Sequence, residues 1–167
     1  MRVLLAVIAG MMLVFPAQAL EYIGQAACAS CHEKEARLWT GSHHDLAMQE
    51  AREDTVLGDF SPASFTHQGV TTRFYRKDGR FMVSTEGADG KRHDYPVKYC
   101  FGVYPLQQYL IPMEGGRLQV LDIAWDSRPR EAGGQRWFHL HPDQRIGAGD
   151  VLHWTGPNLN WNYMCAD

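Results

Sequence analysis

The sequence has no surplus of positive charge: 16 Lys and Arg stand against 19 Asp and Glu in 167 residues, a formal net charge of −3. That excludes a protein that grips phosphate backbones by bulk electrostatics, so no nucleic-acid partner is expected. It has no run of 18 or more apolar residues, and therefore no mature membrane-spanning helix is expected. Cysteine is scarce, with four in the chain. Aromatic residues are plentiful: 5 Trp, 7 Tyr and 7 Phe in a chain that is 45% apolar. With so little net charge, that content argues against disorder and for a packed core. The length suits one ordinary domain or two small ones.

Arg2 is followed by an almost wholly apolar run over residues 3–15 and then by Pro16-Ala17-Gln18-Ala19. A positive residue, a short apolar run and a small-x-small exit form a secretory signal peptide over residues 1–19, cleaved after Ala19. The run is shorter than the roughly 17–25 residues of a transmembrane helix. No Cys follows the cleavage site, so a lipid-anchored start is not expected. The mature chain is expected in the periplasm, with no membrane span after cleavage.

The cysteines are Cys28, Cys31, Cys100 and Cys165. An even count in an exported chain first suggests disulfides, but Cys28-Ala29-Ser30-Cys31-His32 has the C-x-x-C-H spacing of c-type haem attachment. Two thiols so spaced add across the two vinyl groups of a porphyrin, and the adjacent imidazole reaches its iron. The rival readings are weaker. A thioredoxin-like motif would follow a strand, which residues 21–27 do not resemble. A zinc site needs a second tightly spaced pair, which Cys100 and Cys165 do not form. A Cys28–Cys31 disulfide leaves His32 without a role. Cys100, between Tyr99 and Phe101, reads as a buried small hydrophobe.

Local pattern places a helix over residues 24–40, stopped by Gly41-Ser42, and a second helical turn from His43 to about Asp54. Residues 59–65 read as a loop. Lys77-Asp78-Gly79-Arg80 and Gly87-Ala88-Asp89-Gly90 are hairpin signals between aromatic and β-branched runs. Glu114-Gly115-Gly116 is a third turn. These give an antiparallel meander of five or six strands over residues 65–138. The expected fold class is α+β, with short haem-bearing helices around that meander. The expected segments are residues 20–60 for the first haem, 61–148 for the β part and 149–167 for the start of a second haem segment. In the last of these a helix follows Gly156-Pro157, with Asn158 as its cap.

Several stretches carry a family likeness. They include Cys28-Ala29-Ser30-Cys31-His32 with Trp39, Ser42-His43-His44 with Ala47-Met48, and Pro105-Leu106-Gln107-Gln108-Tyr109-Leu110. Gly133-Gly134-Gln135-Arg136-Trp137-Phe138-His139 and His153-Trp154-Thr155-Gly156 add to it. Over nearly the whole mature length the sequence resembles the N-terminal part of the large periplasmic multihaem cytochromes c that continue into tetratricopeptide repeats. That lineage includes hydroxylamine oxidoreductase and pentahaem nitrite reductase. The resemblance implies haem c as cofactor, with one complete motif here and more in a full-length protein, and redox proteins as partners. It also implies that Cys165-Ala166-Asp167 opens a second haem motif, so that the chain reads as a fragment cut within it and Cys165 holds a second haem only in an intact chain.

Cys28 and Cys31 are thus the expected thioether anchors and His32 the proximal iron ligand. His44 and His43 are candidate distal ligands, with Met48 a rival on spacing alone. A second imidazole would leave the iron six-coordinate and suited to electron transfer. His67, His93, His139, His141 and His153 read by default as surface or core residues. In a multihaem protein any of them could be a distal ligand, and His139 and His153, beside aromatic residues and near the expected second haem, rank highest. The expected function is one-electron transfer through covalent haem. The alternative is a haem enzyme acting on a small nitrogen or sulfur compound through an open iron site, and an exported binding module with structural haem is a third. N-terminal sequencing of the exported protein is expected to begin at Leu20-Glu21; retention of residues 1–19 would overturn the leader assignment.

Overall fold

The structure, a computed structural model, describes residues 23–166; the leader expected over residues 1–19 and Asp167 lie outside the described residues. The chain divides into two units, Met1–Arg37 and Leu38–Asp167. In the first, α1 spans Gln25–Ala29 and α2 begins at Glu33, running Glu33–Trp39. The single helix expected over residues 24–40 is therefore two helices interrupted at residues 30–32. Neither buries a residue. Glu33 and Arg37 pair at 3.6 Å along one exposed face of α2, and such a contact adds a few tenths of a kcal/mol.

The second unit is almost entirely antiparallel β structure. Its ten strands are β1 (Met48–Glu50), β2 (Ala63–His67), β3 (Val70–Lys77), β4 (Arg80–Glu86), β5 (Arg92–Pro96), β6 (Tyr99–Phe101), β7 (Leu106–Pro112), β8 (Leu118–Val120), β9 (Ile123–Asp126) and β10 (Arg136–His139). One sheet is the simple meander β2-β3-β4-β5, and the other runs β1-β6-β7-β9-β10 with β8 also paired to β7. Turn chemistry sets the local registers. Asp78 and Gly79 both take positive φ, 51° and 74°, so Lys77 and Arg80 pair directly. A two-residue turn of that hand matches the twist of its strands. Between β7 and β8 the turn is longer: Glu114–Gly116 form a 3-10 turn in which Gly115 and Gly116 take φ of 70° and 77°, and Met113 N bonds Arg117 O at 2.8 Å.

One core is shared by both sheets. Phe74 on β3 and Phe81 and Val83 on β4 face Tyr109 and Ile111 on β7, Ile123 and Trp125 on β9, and Trp137 on β10. The Phe74 and Trp137 rings lie parallel, 3.6 Å between centroids and 4° apart in plane. Phe60, ahead of β2, lies edge-on to Phe74, Phe81, Tyr109 and Trp137, all within 5.6 Å of its centroid. A buried amide fixes the segment that carries it. Gln107 accepts from Leu57 N at 2.8 Å and from the Tyr109 hydroxyl at 3.0 Å. Its Nε2 donates to Thr55 O at 2.9 Å and Gly102 O at 3.2 Å. All the hydrogen-bonding capacity of this amide is used, so burying it carries no desolvation penalty of the unpaired kind. Burial pushes the Tyr109 phenol well above its ordinary range. Gly58 lies against this cluster: a Cβ there would meet Trp137 Cη2 at 2.7 Å.

These observations correct the α+β expectation: the described residues form a mainly antiparallel β fold of two sheets, with three short helices of five, seven and four residues. The physical reason is pairing between distant segments. The stretch from His43 to Asp54 does not continue as helix, because Met48, Gln49 and Glu50 pair with Phe101, Cys100 and Tyr99. Gly102 N and Ala51 N add bonds to Ala47 O and Lys98 O on either side. The single meander over residues 65–138 becomes two sheets, because β6 starts a second sheet after β5. The loop expected over residues 59–65 gives way to β2 at Ala63. At the tail, Pro157–Leu159 form a 3-10 turn and α3 spans Trp161–Met164, so Asn160, not Asn158, precedes the helix.

Trp137→Ala is expected to lower unfolding free energy by about 3–5 kcal/mol, read by urea denaturation. A loss below about 1 kcal/mol would mean that the ring stack does not hold the sheets together.

Candidate functional site

The chemistry-bearing segment lies where α1 ends. The Cys28 carbonyl accepts from both Cys31 N at 3.1 Å and His32 N at 3.0 Å, so Cys28-x-x-Cys31-His32 closes one helical turn. Residues three and four apart in such a turn share a face. The His32 carbonyl then accepts from Ala36 N at 2.9 Å, opening α2. His32 therefore sits at the junction of the two helices, immediately after the second thiol. All four cysteines are free, and Cys28, Cys31 and Cys165 are exposed. His32 is exposed as well.

The donor set fits haem c. Two reduced thiols within one turn meet the requirement of double thioether formation, and the following imidazole is the ligand type that iron takes. A flat apolar group would also cover helices that bury nothing of their own. The described residues contain no group of three or more His, Cys, Asp or Glu arranged to hold a bare metal ion.

His43 and His44 belong to the second unit, in a tight turn that starts at Gly41. Gly41 N donates to Asp45 Oδ2 at 2.8 Å, Asp45 N donates to Ser42 Oγ at 3.3 Å, and Leu46 N bonds Ser42 O at 3.0 Å. Both histidines are exposed. The His44 ring lies parallel to Trp39 at 6.0 Å, and the His43 ring is tilted to Tyr104 at 6.3 Å. Met48, the rival ligand, is half-buried in β1. Cys165 follows α3 directly. Cys100 is 1% exposed, as its reading as a buried hydrophobe requires, and burial pushes its thiol up. The structure thus gathers Cys28, Cys31 and His32, and separately sets His43 beside His44.

Three histidines of the default class meet somewhere no local pattern indicates. His67 at the end of β2, His139 at the end of β10 and His153 line one cavity of about 330 Å3. The His67 and His139 rings stack at 4.1 Å. His139 Nε2 lies 3.2 Å from Asp122 Oδ2, and His153 Nε2 lies 3.9 Å from Glu86 Oε1. Sequence reasoning ranked His139 and His153 above the other histidines for their aromatic neighbours. It had no signal for His67, Asp122 or Glu86, which only the pairing of strands brings near.

No family model, curated protein or solved structure matches the chain. No helix among the described residues is long and apolar enough to cross a membrane.

Under native conditions iodoacetamide is expected to modify Cys28, Cys31 and Cys165 of the haem-free protein and to reach Cys100 only after denaturant is added, as read by peptide mass spectrometry. Native labelling of Cys100 at a rate like the others would contradict its burial.

Proposed function

We propose that this chain is a haem-bearing segment of a periplasmic multihaem cytochrome c and passes single electrons to redox partner proteins. The observation that supports the reading most is the shared Cys28 carbonyl, which wraps both thiols and His32 into one exposed helical turn. When bound, haem c supplies a one-electron iron couple. The polypeptide's part is to anchor and orient it: Cys28 and Cys31 form the two thioethers, and the His32 imidazole holds the iron from the protein side. The backbone bonds of that turn are already made. His44 or His43 is the proposed second axial ligand. Neither ring nitrogen hydrogen-bonds a described residue, so either imidazole is free to ligate without breaking a bond. Cys165 is the proposed anchor of a further haem in a longer chain.

The test is production of the chain in a host with c-type haem maturation. One haem per chain is expected, retained through denaturation and acidic organic extraction and abolished in the Cys28→Ser/Cys31→Ser double variant. Carbon monoxide added to the ferrous protein is expected to leave the Soret band unmoved, as a six-coordinate iron requires. A shifted band would move the reading to the haem enzyme with an open iron position. A red pigment lost on denaturation, or none at all, would overturn covalent attachment.

A further inference from the structure

The cavity that His67, His139 and His153 line belongs wholly to the second unit and has no part in the proposed haem attachment. It opens where β2, β4 and β10 end, and its other walls include Val70, Ile123 and Trp154. At about 330 Å3 it lies at the lower end of the range for small-molecule sites. It has room for about eleven waters at their liquid volume of ~30 Å3 each.

Two carboxylates meet histidines on its wall. His139 Nδ1 accepts the His141 backbone N–H at 3.0 Å, so its proton sits on Nε2, toward Asp122. His153 Nδ1 lies 2.7 Å from Thr155 Oγ1 and 3.4 Å from Thr155 N, and its Nε2 faces Glu86 Oε1 at 3.9 Å. Asp122 and Glu86 are the two carboxylates of the wall. The Asp122 side chain is 10% exposed and that of Glu86 25%, whereas Arg145, the cationic residue of the wall, is exposed. His67 Nε2 is buried and has no hydrogen-bond partner. The cavity wall therefore holds two carboxylates beside three imidazoles. Around these stand apolar walls that include Val70, Ile123 and Trp154.

We infer that this cavity binds a small organic cation of the amidinium, guanidinium or ammonium class. Its N–H groups would lie between Asp122 and Glu86, and its apolar body would rest on Ile123 and Val70.

Benzamidinium, benzamide and benzoate share size and shape but are positive, neutral and negative, and serve as probes. Binding to the full chain, with or without haem, is read by calorimetry and by the imidazole and Trp indole resonances in NMR. Benzamidinium is expected to bind at least about tenfold more tightly than benzoate, shifting His67, His139, His153 and Trp154. Glu86→Gln is expected to weaken benzamidinium about tenfold, and Arg145→Gln to leave it unchanged or tighter. Asp122→Asn, nearly isosteric, is a second variant in case Glu86→Gln does not fold; the wild-type probe series decides without either. Benzoate binding as tightly as benzamidinium, no shift at any of the four rings up to about 10 mM probe, or a Glu86→Gln variant of unchanged affinity would each overturn the inference.

Discussion

The second unit depends on a contact between two flat rings. Phe74 and Trp137 come from different sheets and lie face to face, with Phe60 edge-on to both. Parallel stacking at the centre with perpendicular contacts at its edge lets large rings fill space without leaving voids. Phe60 belongs to neither sheet, so its placement has to come from elsewhere. The Gln107 amide provides it, tying Thr55 and Leu57 to the middle of β7. Polar satisfaction inside the core thus fixes where the apolar wedge goes. A side chain at Gly58 would not fit, since both Tyr109 and Trp137 crowd that backbone.

The first unit is built on a different principle. Its helices have five and seven residues, below the length at which a helix is stable alone in water. They bury nothing, and order within them rests on local hydrogen bonds such as Gln25 Nε2 to Ala36 O at 3.4 Å. The proposed haem would supply the apolar surface that the sequence leaves out. In the sandwich the cavity beside β10 shows the reverse case, a site whose polar groups come from strand ends spread from His67 to His153.

The legible parts of this chain are those that local chemistry writes. Asp78-Gly79 announced a two-residue hairpin because few other pairs adopt positive φ twice. The Gly115-Gly116 turn was readable for the same reason, and the burial of Cys100 followed from its neighbours. The Cys-x-x-Cys-His turn could be anticipated because its bonds span four residues. What failed was anything decided across the chain. Met48–Glu50 carries no period that distinguishes a three-residue strand from a helical turn; Phe101 and Tyr99, half a hundred positions on, make the choice. The division into two sheets was hidden because β5 and β6 are separated by two residues, Val97 and Lys98, which read as a continuation. His67 and Asp122 gave no sign of meeting, since strand order alone sets that distance.

The contrast between the two units has a consequence for the life of the polypeptide. The sandwich closes its own core and reaches its final form by folding. Residues 23–37, none of them buried, have little to gain from solvent exclusion until some other body lies over them. On the proposed reading, that body arrives through bond formation at Cys28 and Cys31 and not through collapse. A chain that escaped cofactor loading would then be a durable β body preceded by a stretch open to trimming. Resident proteases of the export compartment would so distinguish loaded molecules from empty ones, without any dedicated sensor.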